Sequence, residues 1–406
     1  MERPICKICG SARLHRIIDF GRVPNANALV TKKELGRVKN YPLRFYWCSD
    51  CTFFQQVESA PREELFNVNY PYKTGVNVLS VEDFKSFAIR IGKQLRKKDF
   101  AVVVGSNDGT EIRLLEKYGG FKKVIGVDPS SNVAGIANDR GLSTIVDFFG
   151  YELSKKMVKE YGHADFVVAK GVFAHIPDPR DMLAGMKNLI NEEGMIAIEV
   201  HWLKSLVDKA EIESLYAEHY YEYDMKAMKT LANGLSLKVV DAEYLPHMQG
   251  GEIRFIIKKH GSEAAAEKFM ARENRAGLYM LDGMKKLQAR AEKRRKKLRR
   301  LIKNLKAKNK SISVWSAAAK VPTLFNFCGI SHTEIDCAYE ISEYKIGKII
   351  PKLNIPVENE RLMKRDMPDY LVMGSWNYMK FAKKKLKWYT DRGGRLIDPL
   401  NCVVVK

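Results

Sequence analysis

The chain has 406 residues, 46% of them hydrophobic, and its 69 Lys and Arg residues against 48 Asp and Glu give a formal net charge of +21. This length exceeds what one hydrophobic core usually serves, so we expect two or three domains. Because no apolar run reaches the roughly 18 residues of a membrane span, and the first residues lack the apolar centre of a signal peptide, the sequence predicts a soluble, cytoplasmic protein without a membrane partner.

Two Cys-x-x-Cys pairs lie in the first part of the chain, Cys6 with Cys9 and Cys48 with Cys51. Two intervening residues let both thiolates of a pair bind one metal ion, and two such pairs complete a closed tetrahedral site. A redox role would require one pair after a strand of a thioredoxin-like unit, and it would explain only half of these cysteines. We therefore predict structural zinc on all four, in a zinc-binding domain that spans residues 1–75.

A buried strand leads into an acidic glycine turn at residues 102–110, Val-Val-Val-Gly-Ser-Asn-Asp-Gly-Thr. A doubly wound α/β sheet binds a nucleotide-like cofactor at this position. The turn contains Gly105 and Gly109 but lacks the third glycine of the dinucleotide fingerprint. Asp108 would repel a pyrophosphate, whereas it can face the positive end of S-adenosylmethionine (SAM). The next predicted strand ends at Asp128, about 20 residues later, where a carboxylate can accept both ribose hydroxyls.

Either signal can arise by chance in an α/β sheet, but the two together favour a cofactor site. We therefore predict a class I SAM-dependent methyltransferase domain with a Rossmann-like sheet over residues 76–262. The predicted cofactor-binding residues are Gly105, Ser106, Asn107, Asp108, Gly109, Asp128, Asp147 and Phe148.

Protic side chains gather later in this domain. The fourth predicted strand ends shortly before His175, at the edge of the sheet where catalytic groups are presented. A histidine beside a glutamate, as in Glu218-His219, suits a base that acts near neutral pH, and the hydroxyl of Tyr216 suits a developing oxyanion. A lone histidine is more often structural, but the crowding of these groups favours a functional role for His219.

Much of the positive charge lies between residues 285 and 310. Apolar residues recur there at helical spacing, which predicts a long amphipathic helix with a narrow apolar seam. The seam consists of Met284, Leu287, Ala291, Leu298, Ile302 and Leu305. Because the run lacks the aromatic side chains that stack on single-stranded bases, it favours a solvated helix face over a nucleic-acid site. Attraction of an anionic nucleotide diphosphate is an alternative.

A second α/β pattern follows this helix, with strands predicted near residues 311–316, 334–339 and 370–374. Small residues beginning at Ser316, followed by Lys320, allow a phosphate or sugar to approach the backbone, although a plain packed turn fits equally well. We predict a C-terminal Rossmann-like α/β domain over residues 263–406.

Taken in order along the chain, these motifs resemble one enzyme family. They are the double Cys-x-x-Cys, Tyr70-Pro-Tyr72, Gly-Ser-Asn-Asp-Gly, Phe-Ala-His-Ile-Pro, Tyr-Ala-Glu-His-Tyr, Gly250-Gly-Glu-Ile-Arg254, Asn326-Phe-Cys-Gly329 and Trp376-Asn377. The set is similar to that of SAM-dependent C-methyltransferases that act on nucleotide-linked 4-keto-deoxyhexoses, over nearly the whole chain. The resemblance implies a zinc-binding domain, a central methyltransferase domain, and a C-terminal domain that helps to enclose the substrate.

The resemblance also implies the chemistry and the residues that perform it. A base removes a proton from the carbon beside the C4 ketone, nearby donors stabilise the enolate, and that carbon attacks the methyl group of the sulfonium. His219 is then the base, Glu218 and Tyr216 orient it and bind around the ketone, and Tyr72 and His175 line the reacting end of the pocket. We expect a monomer whose partner is a small nucleotide-sugar substrate.

Two other functions fit parts of the sequence. A zinc-containing, basic RNA methyltransferase would explain the charge, but the chain lacks an Asn-Pro-Pro-Tyr type motif and a cysteine placed to attack a pyrimidine. A binding protein that keeps the fold without turnover is disfavoured by the presence of Asp108, Asp128 and His219.

Overall fold

Strands of the computed structural model, which describes residues 4–65, 73–76 and 78–405, form three sheets. The N-terminal elements are β1 (Leu14–Val23), β2 (Tyr41–Cys48), β3 (Phe54–Gln56) and α1 (Arg62–Leu65). The three strands pair antiparallel in the order β1-β2-β3. Alternate residues of β2 are buried, which is the pattern of an antiparallel strand with one face on the core.

The next elements along the chain contain the strands of a seven-stranded sheet and the helices that pack on it. They are α2 (Val78–Gln94), β4 (Phe100–Val104), α3 (Thr110–Leu114), β5 (Lys123–Val127), α4 (Ser131–Asp139), β6 (Thr144–Ile145), α5 (Tyr151–Tyr161), β7 (Ala164–Lys170), α6 (Pro179–Leu189), β8 (Ile190–His201), α7 (Leu203–Lys209), β9 (Tyr221–Glu222), α8 (Met225–Asn233), β10 (Lys238–Leu245), β11 (Glu252–Lys258) and α9 (Ala264–Arg275).

This central sheet has the order β10-β11-β8-β7-β4-β5-β6. The strands from β6 to β8 are parallel, whereas β11 is antiparallel to both of its neighbours. Every residue of β4 and β7 is buried, because helices cover both faces of these central strands. The strand order reverses at β4, so the carboxyl ends of β4 and β7 flank the switch point where such sheets bind ligands.

The C-terminal elements build the third sheet. They are α10 (Leu281–Lys306), β12 (Ile312–Trp315), α11 (Lys320–Cys328), β13 (Ala338–Glu340), β14 (Ile349–Ile350), β15 (Ile355–Asn359), α12 (Met363–Asp366), β16 (Tyr370–Met373), α13 (Met379–Lys385), α14 (Lys387–Asp391), β17 (Arg395–Asp398) and β18 (Val403–Val405).

The third sheet has the order β14-β15-β13-β12-β16-β17-β18, with its five central strands parallel. The predicted α/β class with two Rossmann-like sheets is therefore confirmed. The strand predicted at 334–339 starts later, at Ala338, because residues 332–334 form a turn in which the Glu334 carboxylate accepts the N–H of Ser331 at 3.0 Å.

The basic helix α10 has the predicted apolar seam. All six seam residues are buried, and they pack against α11, β1 and the C-terminal sheet. Cys328, Cys337 and Cys402 are also buried. Within the described ranges, no helix is both long and apolar enough to cross a lipid bilayer.

The sheet of the zinc-binding segment contains a strand from another part of the chain. β9 pairs antiparallel with β3, which makes the sheet order β1-β2-β3-β9. β9 begins two residues after His219, so the candidate catalytic segment is attached to the N-terminal sheet. The domain boundaries themselves stay predictions.

Candidate active site and metal centre

Four cysteine sulfurs face one another beside the turn between β2 and β3. The Sγ atoms of Cys6 and Cys51 are 3.4 Å apart, those of Cys9 and Cys48 are 3.7 Å apart, and all four lie within 4.8 Å of one another. Tetrahedral zinc with Zn–S bonds of about 2.3 Å requires sulfurs roughly 3.8 Å apart. The four predicted ligands therefore fit structural zinc, in a closed site that leaves no coordination position for water.

The four thiols are electrostatically coupled, because the Cys51 and Cys6 sulfurs lower the pKa of Cys48. The Cys48 sulfur raises the pKa of Cys6 to about 12, and the Cys48 and Cys6 sulfurs raise the pKa of Cys51 as well. A divalent cation at the centre favours the deprotonated form of each ligand. The guanidinium of Arg180 in α6 donates to the carbonyl of Ile8 at 2.7 Å, which ties the first cysteine pair to the central domain.

The predicted cofactor turn connects β4 to α3. Gly105 has φ = 72°, and a Cβ atom there would lie 2.1 Å from Cγ2 of Val172, so the position requires glycine. Gly109 has φ = 78° at the start of α3. The N–H of Asn107 donates to the Asp128 carboxylate at 2.9 Å. The structure thus brings the turn after β4 and the acid after β5 together at the switch point.

Asp128 is well placed for a ribose. Its second carboxylate oxygen accepts the N–H of Ser130 at 2.9 Å, and burial raises its pKa while these two backbone donors lower it. Each carboxylate oxygen retains a lone pair that can accept a ribose hydroxyl. Ser106 contributes differently, because its hydroxyl packs against Gly126, where a Cβ atom would lie 2.4 Å from Oγ.

The Asp108 carboxylate binds donors of the protein itself. Its carboxylate is buried, accepts the hydroxyl of Thr110 at 2.7 Å, and accepts the N–H of Gly75 at 3.0 Å. Because Gly109 adopts a left-handed conformation, Asp108 lies just ahead of α3 and its side chain satisfies donors there. Asn107 accepts the N–H of Thr74 at 2.9 Å. These two side chains hold the segment 74–75 over the turn, and a direct contact of Asp108 with SAM stays a prediction.

Asp147 and Phe148 follow β6, at the same edge of the sheet as the turn after β4. Asp147 is exposed, and its carboxylate accepts the N–H of Phe148 at 2.7 Å. The half-buried Phe148 ring lies 4.3 Å below the guanidinium of Arg62. An aromatic face at this edge can stack on an adenine, and both cofactor contacts stay predictions.

His219, His175 and Tyr216 form one cluster. The ring centroid of His219 lies 4.0 Å from that of Tyr216 and 4.8 Å from that of His175. Nδ1 of His219 is 2.7 Å from the carbonyl oxygen of Ser214, so Nδ1 carries the proton and donates it there. The basic lone pair is therefore on Nε2. Burial holds the pKa of His219 well below its ordinary value, and the nearby His175 lowers it further.

The orientation of Glu218 differs from the prediction. Its carboxylate accepts the N–H of Ala26 at 3.2 Å and both the N–H and the side-chain amide of Asn27, at 3.0 and 3.1 Å. It therefore does not orient His219. The physical reason is that three donors from the N-terminal segment satisfy this buried carboxylate, whereas a neutral imidazole offers only one. The Glu218 backbone does take part in the cluster, because its carbonyl lies 2.6 Å from Nδ1 of His175.

Two residues outside the predicted set complete the surroundings of His219. Oε1 of Glu222 lies 3.8 Å from Nδ1 of His219, and Oε2 lies 3.0 Å from Nδ1 of His201 at the end of β8. Both side chains are buried. Glu222 could have been predicted from the sequence, because it follows the candidate base by three residues. His201 could not, because it lies on β8 and no sequence pattern links that strand to His219.

The C-terminal domain contributes Lys320 to a neighbouring group of buried acids. Its ammonium lies 3.4 Å from the carbonyl of Gln249, 3.9 Å from Oε1 of Glu211 and 4.4 Å from the ring centroid of Trp376. Burial lowers the pKa of Lys320, although Glu211 and other nearby carboxylates oppose the shift. Burial raises the pKa of Glu211 to about 7. The lysine is thus the positive member of a buried group of acids.

Lys320 also begins α11 at the switch point of the C-terminal sheet, between β12 and β16. Ser316, with φ = 73°, accepts the hydroxyl of Ser375 from the loop after β16 at 3.0 Å. Glu340, at the end of β13, accepts the N–H of Ala317 at 3.1 Å. The small-residue turn and an acid at a strand end therefore lie together at the crevice of this switch point, and Lys320 begins the helix that follows the turn. Tyr72, the remaining predicted site residue, lies outside the described residues.

Comparisons with known proteins agree with this architecture. Residues 6–66 match the family model of a zinc binding domain, residues 90–242 match a methyltransferase domain, and residues 247–401 match the C-methyltransferase C-terminal domain. The C-methyltransferase NovU of Streptomyces niveus is 29% identical over 409 aligned residues, which cover 98% of this chain and 96% of NovU.

Solved structures give shorter likenesses. The SAM-bound magnesium protoporphyrin IX methyltransferase of Synechocystis is 11% identical, with a TM-score of 0.33 over 45% of this chain and 79% of its own. A SAM-dependent methyltransferase of Thermotoga maritima is 15% identical, with a TM-score of 0.34 over 44% of this chain and 91% of its own.

The three family models follow one another along the chain, in the order in which the cysteine site, the predicted cofactor turn and the C-terminal crevice appear in the structure. NovU aligns with all of these regions at once. The chain is therefore a SAM-dependent methyltransferase with a zinc-binding domain, and it is similar to the C-methyltransferase NovU over nearly its whole length.

Proposed function

We propose that this enzyme methylates a carbon of a nucleotide-linked keto-deoxysugar and that His219 is the base. The observation that carries the proposal is the 2.7 Å distance from Nδ1 of His219 to the Ser214 carbonyl oxygen, which places the N–H on Nδ1 and leaves the basic lone pair on Nε2. A carbon acid beside a ketone needs such a positioned base, whereas methyl transfer itself needs mainly alignment.

The candidate base is close to the cofactor turn. Val172, which contacts Gly105 of that turn, precedes the short 3-10 turn Phe173–His175. The His175 ring in turn packs against His219. Residues 171–175 therefore connect the SAM site with the base, and a sugar carbon held between them can reach both.

Each neighbour of the base has a proposed task. The low pKa of His219 keeps the imidazole neutral near pH 7, so that Nε2 can take the proton from the carbon beside the ketone. We assign the enolate oxygen to the hydroxyl of Tyr216, with Tyr72 as a further contact and the His175 ring as a wall of the pocket. The Glu222 carboxylate, 3.8 Å from Nδ1, stabilises the imidazolium that forms. When bound, SAM supplies the methyl group to the enolate carbon. The sulfur–methyl bond breaks as the new carbon–carbon bond forms, and the electron pair of the broken bond stays on sulfur.

The C-terminal crevice is our candidate for the nucleotide. Lys320 and the backbone amides of the turn that begins at Ser316 suit phosphate oxygens, and Glu340 stands at the strand end where an acid can accept ribose hydroxyls. Because Lys320 also approaches the group around Glu211 and Glu222, a diphosphate in this crevice would direct its sugar toward His219. The net charge of +21 favours an anionic substrate.

A panel of nucleotide-linked 4-keto-deoxyhexoses with methyl-labelled SAM tests the proposal. We expect a product heavier by one methyl group from at least one sugar, and none from the His219→Ala variant. Calorimetric SAM binding should be equal in the two proteins, because the base and the cofactor turn are separate. Transfer of methyl groups to RNA but to no sugar would overturn the proposal.

A further inference from the structure

One buried glutamine of the zinc-binding segment holds the backbone of the candidate catalytic residues. The side-chain amide nitrogen of Gln56 lies 2.7 Å from the carbonyl oxygen of His219 and 3.2 Å from that of Ala217. The backbone N–H of Gln56 donates to the carbonyl of Tyr220 at 2.8 Å. Gln56 is only 3% exposed, so water cannot readily replace these donors.

The same segment is held at two further places. In the β3–β9 pairing, Phe54 lies opposite Glu222, which fixes the strand that follows His219. The Glu218 carboxylate accepts the backbone N–H groups of Ala26 and Asn27. Residues 216–222 are therefore bound by hydrogen bonds to the N-terminal segment before, at and after the candidate base.

These hydrogen bonds, which we call the clamp on residues 216–222, are continuous with the metal centre. Gln56 follows the zinc ligand Cys51 by five residues, and the N–H of the ligand Cys48 donates to the carbonyl of Phe53 at 3.0 Å. The hydroxyl of Thr52 donates to the carboxylate of Asp224 at 2.9 Å, just beyond β9. The short chain from the second cysteine pair to Gln56 thus runs directly along residues 216–224.

We propose that Gln56 is a positioning residue that sets the direction of the His219 imidazole from the zinc-binding segment. This inference rests on the proposed role of His219 as the base. The Gln56 amide holds the carbonyl of His219 itself, so its loss lets the backbone that carries the imidazole shift. A displacement of about 1 Å at a reacting group can cost roughly 100-fold in rate.

The test compares Gln56→Met with Gln55→Met. Gln55 is the matched control, because it is a buried glutamine on the same strand whose amide instead contacts the backbone of Lys7 and Ile5, at 3.0 and 3.4 Å. Each variant loses one buried amide from β3. We measure zinc content, SAM binding, steady-state kinetics and hydrogen exchange of residues 214–223.

In Gln56→Met we expect kcat to fall about 100-fold, with KM for the sugar and Kd for SAM within about threefold of wild type. Zinc stays stoichiometric, and hydrogen exchange quickens in residues 214–223. Gln55→Met keeps its kcat and its exchange in that segment. Unchanged exchange in Gln56→Met, or an equal loss of kcat in both variants, would overturn the proposal. If wild type methylates no sugar, the proposed function fails and the exchange comparison still decides the clamp.

Discussion

Replacing Gly105 by alanine tests the geometry of the cofactor turn. Two costs arise in the structure. An alanine at φ = 72° occupies the left-handed region, at about 1–2 kcal/mol, and its Cβ would lie 2.1 Å from Val172, which adds about 1–3 kcal/mol of overpacking. We expect Gly105→Ala to lower the free energy of unfolding by about 2–5 kcal/mol.

Gly120→Ala is the matched control for backbone strain. Gly120 has φ = 75°, and the nearest atom to an added Cβ is the flexible Lys98 ammonium at 3.9 Å. This variant pays the backbone cost of about 1–2 kcal/mol without the clash. The difference between the two variants therefore isolates the contact with Val172.

Binding should separate the two variants more clearly than stability. In Gly105→Ala the turn must shift, which moves the Asn107 N–H and the Asp128 carboxylate that it holds. We expect SAM affinity to fall at least about tenfold, equivalent to roughly 1.4 kcal/mol, and to be unchanged in Gly120→Ala. Urea denaturation and titration calorimetry measure both effects. Equal stability and equal SAM affinity in the two variants would refute this account of the turn.

Three further predictions concern the metal, the base and pH. Cys48→Ser should release zinc, because a thiolate ligand is lost. Metal analysis under reducing conditions should find one equivalent of zinc in wild type and less than one in the variant. Equal zinc content in both proteins would contradict the four-cysteine site. Glu222→Gln should lower kcat about tenfold or more and leave SAM affinity unchanged, because the imidazolium of His219 loses a carboxylate 3.8 Å away. Steady-state kinetics test this, and an unchanged kcat would remove Glu222 from the mechanism. Burial depresses the folded-state pKa of His219 below the unfolded value near 6.5, so the unfolded chain binds more protons and the free energy of unfolding should decrease as pH falls below that value. Urea denaturation across this pH range should show a smaller decrease in His219→Gln than in wild type. An identical dependence of stability on pH in the two proteins would contradict the burial of a neutral imidazole.

Much of the fold follows from local patterns in the sequence. The six seam residues of α10 recur at helical spacing and are buried in the structure. The two cysteine pairs come together because their spacing reflects the geometry of one metal ion. Gly105 and Asp128 were likewise predictable, since a strand, its turn and the next strand end are near in sequence as well as in space. Such features depend on residues at short separation.

The rest of the site depends on contacts between distant segments. The Glu218 carboxylate binds Ala26 and Asn27, about 190 residues away in sequence, and no local pattern announces that preference. His201, from β8, binds Glu222 beside the base, and the charge of Lys320, from the C-terminal domain, helps to lower the pKa of His219. Arg294 of α10 is buried and paired with Glu213, 81 residues away in sequence, and the charge pattern of the helix does not reveal this contact.

Proton exchange at the substrate carbon is the most direct test of His219 as the base. The enzyme is incubated with the accepted nucleotide-linked keto-sugar and S-adenosylhomocysteine in deuterated water, where methyl transfer cannot occur. Mass spectrometry should detect one deuterium beside the ketone with wild type and only the uncatalysed background with His219→Ala. Equal incorporation by the two proteins would contradict the assignment of His219 as the group that removes the proton.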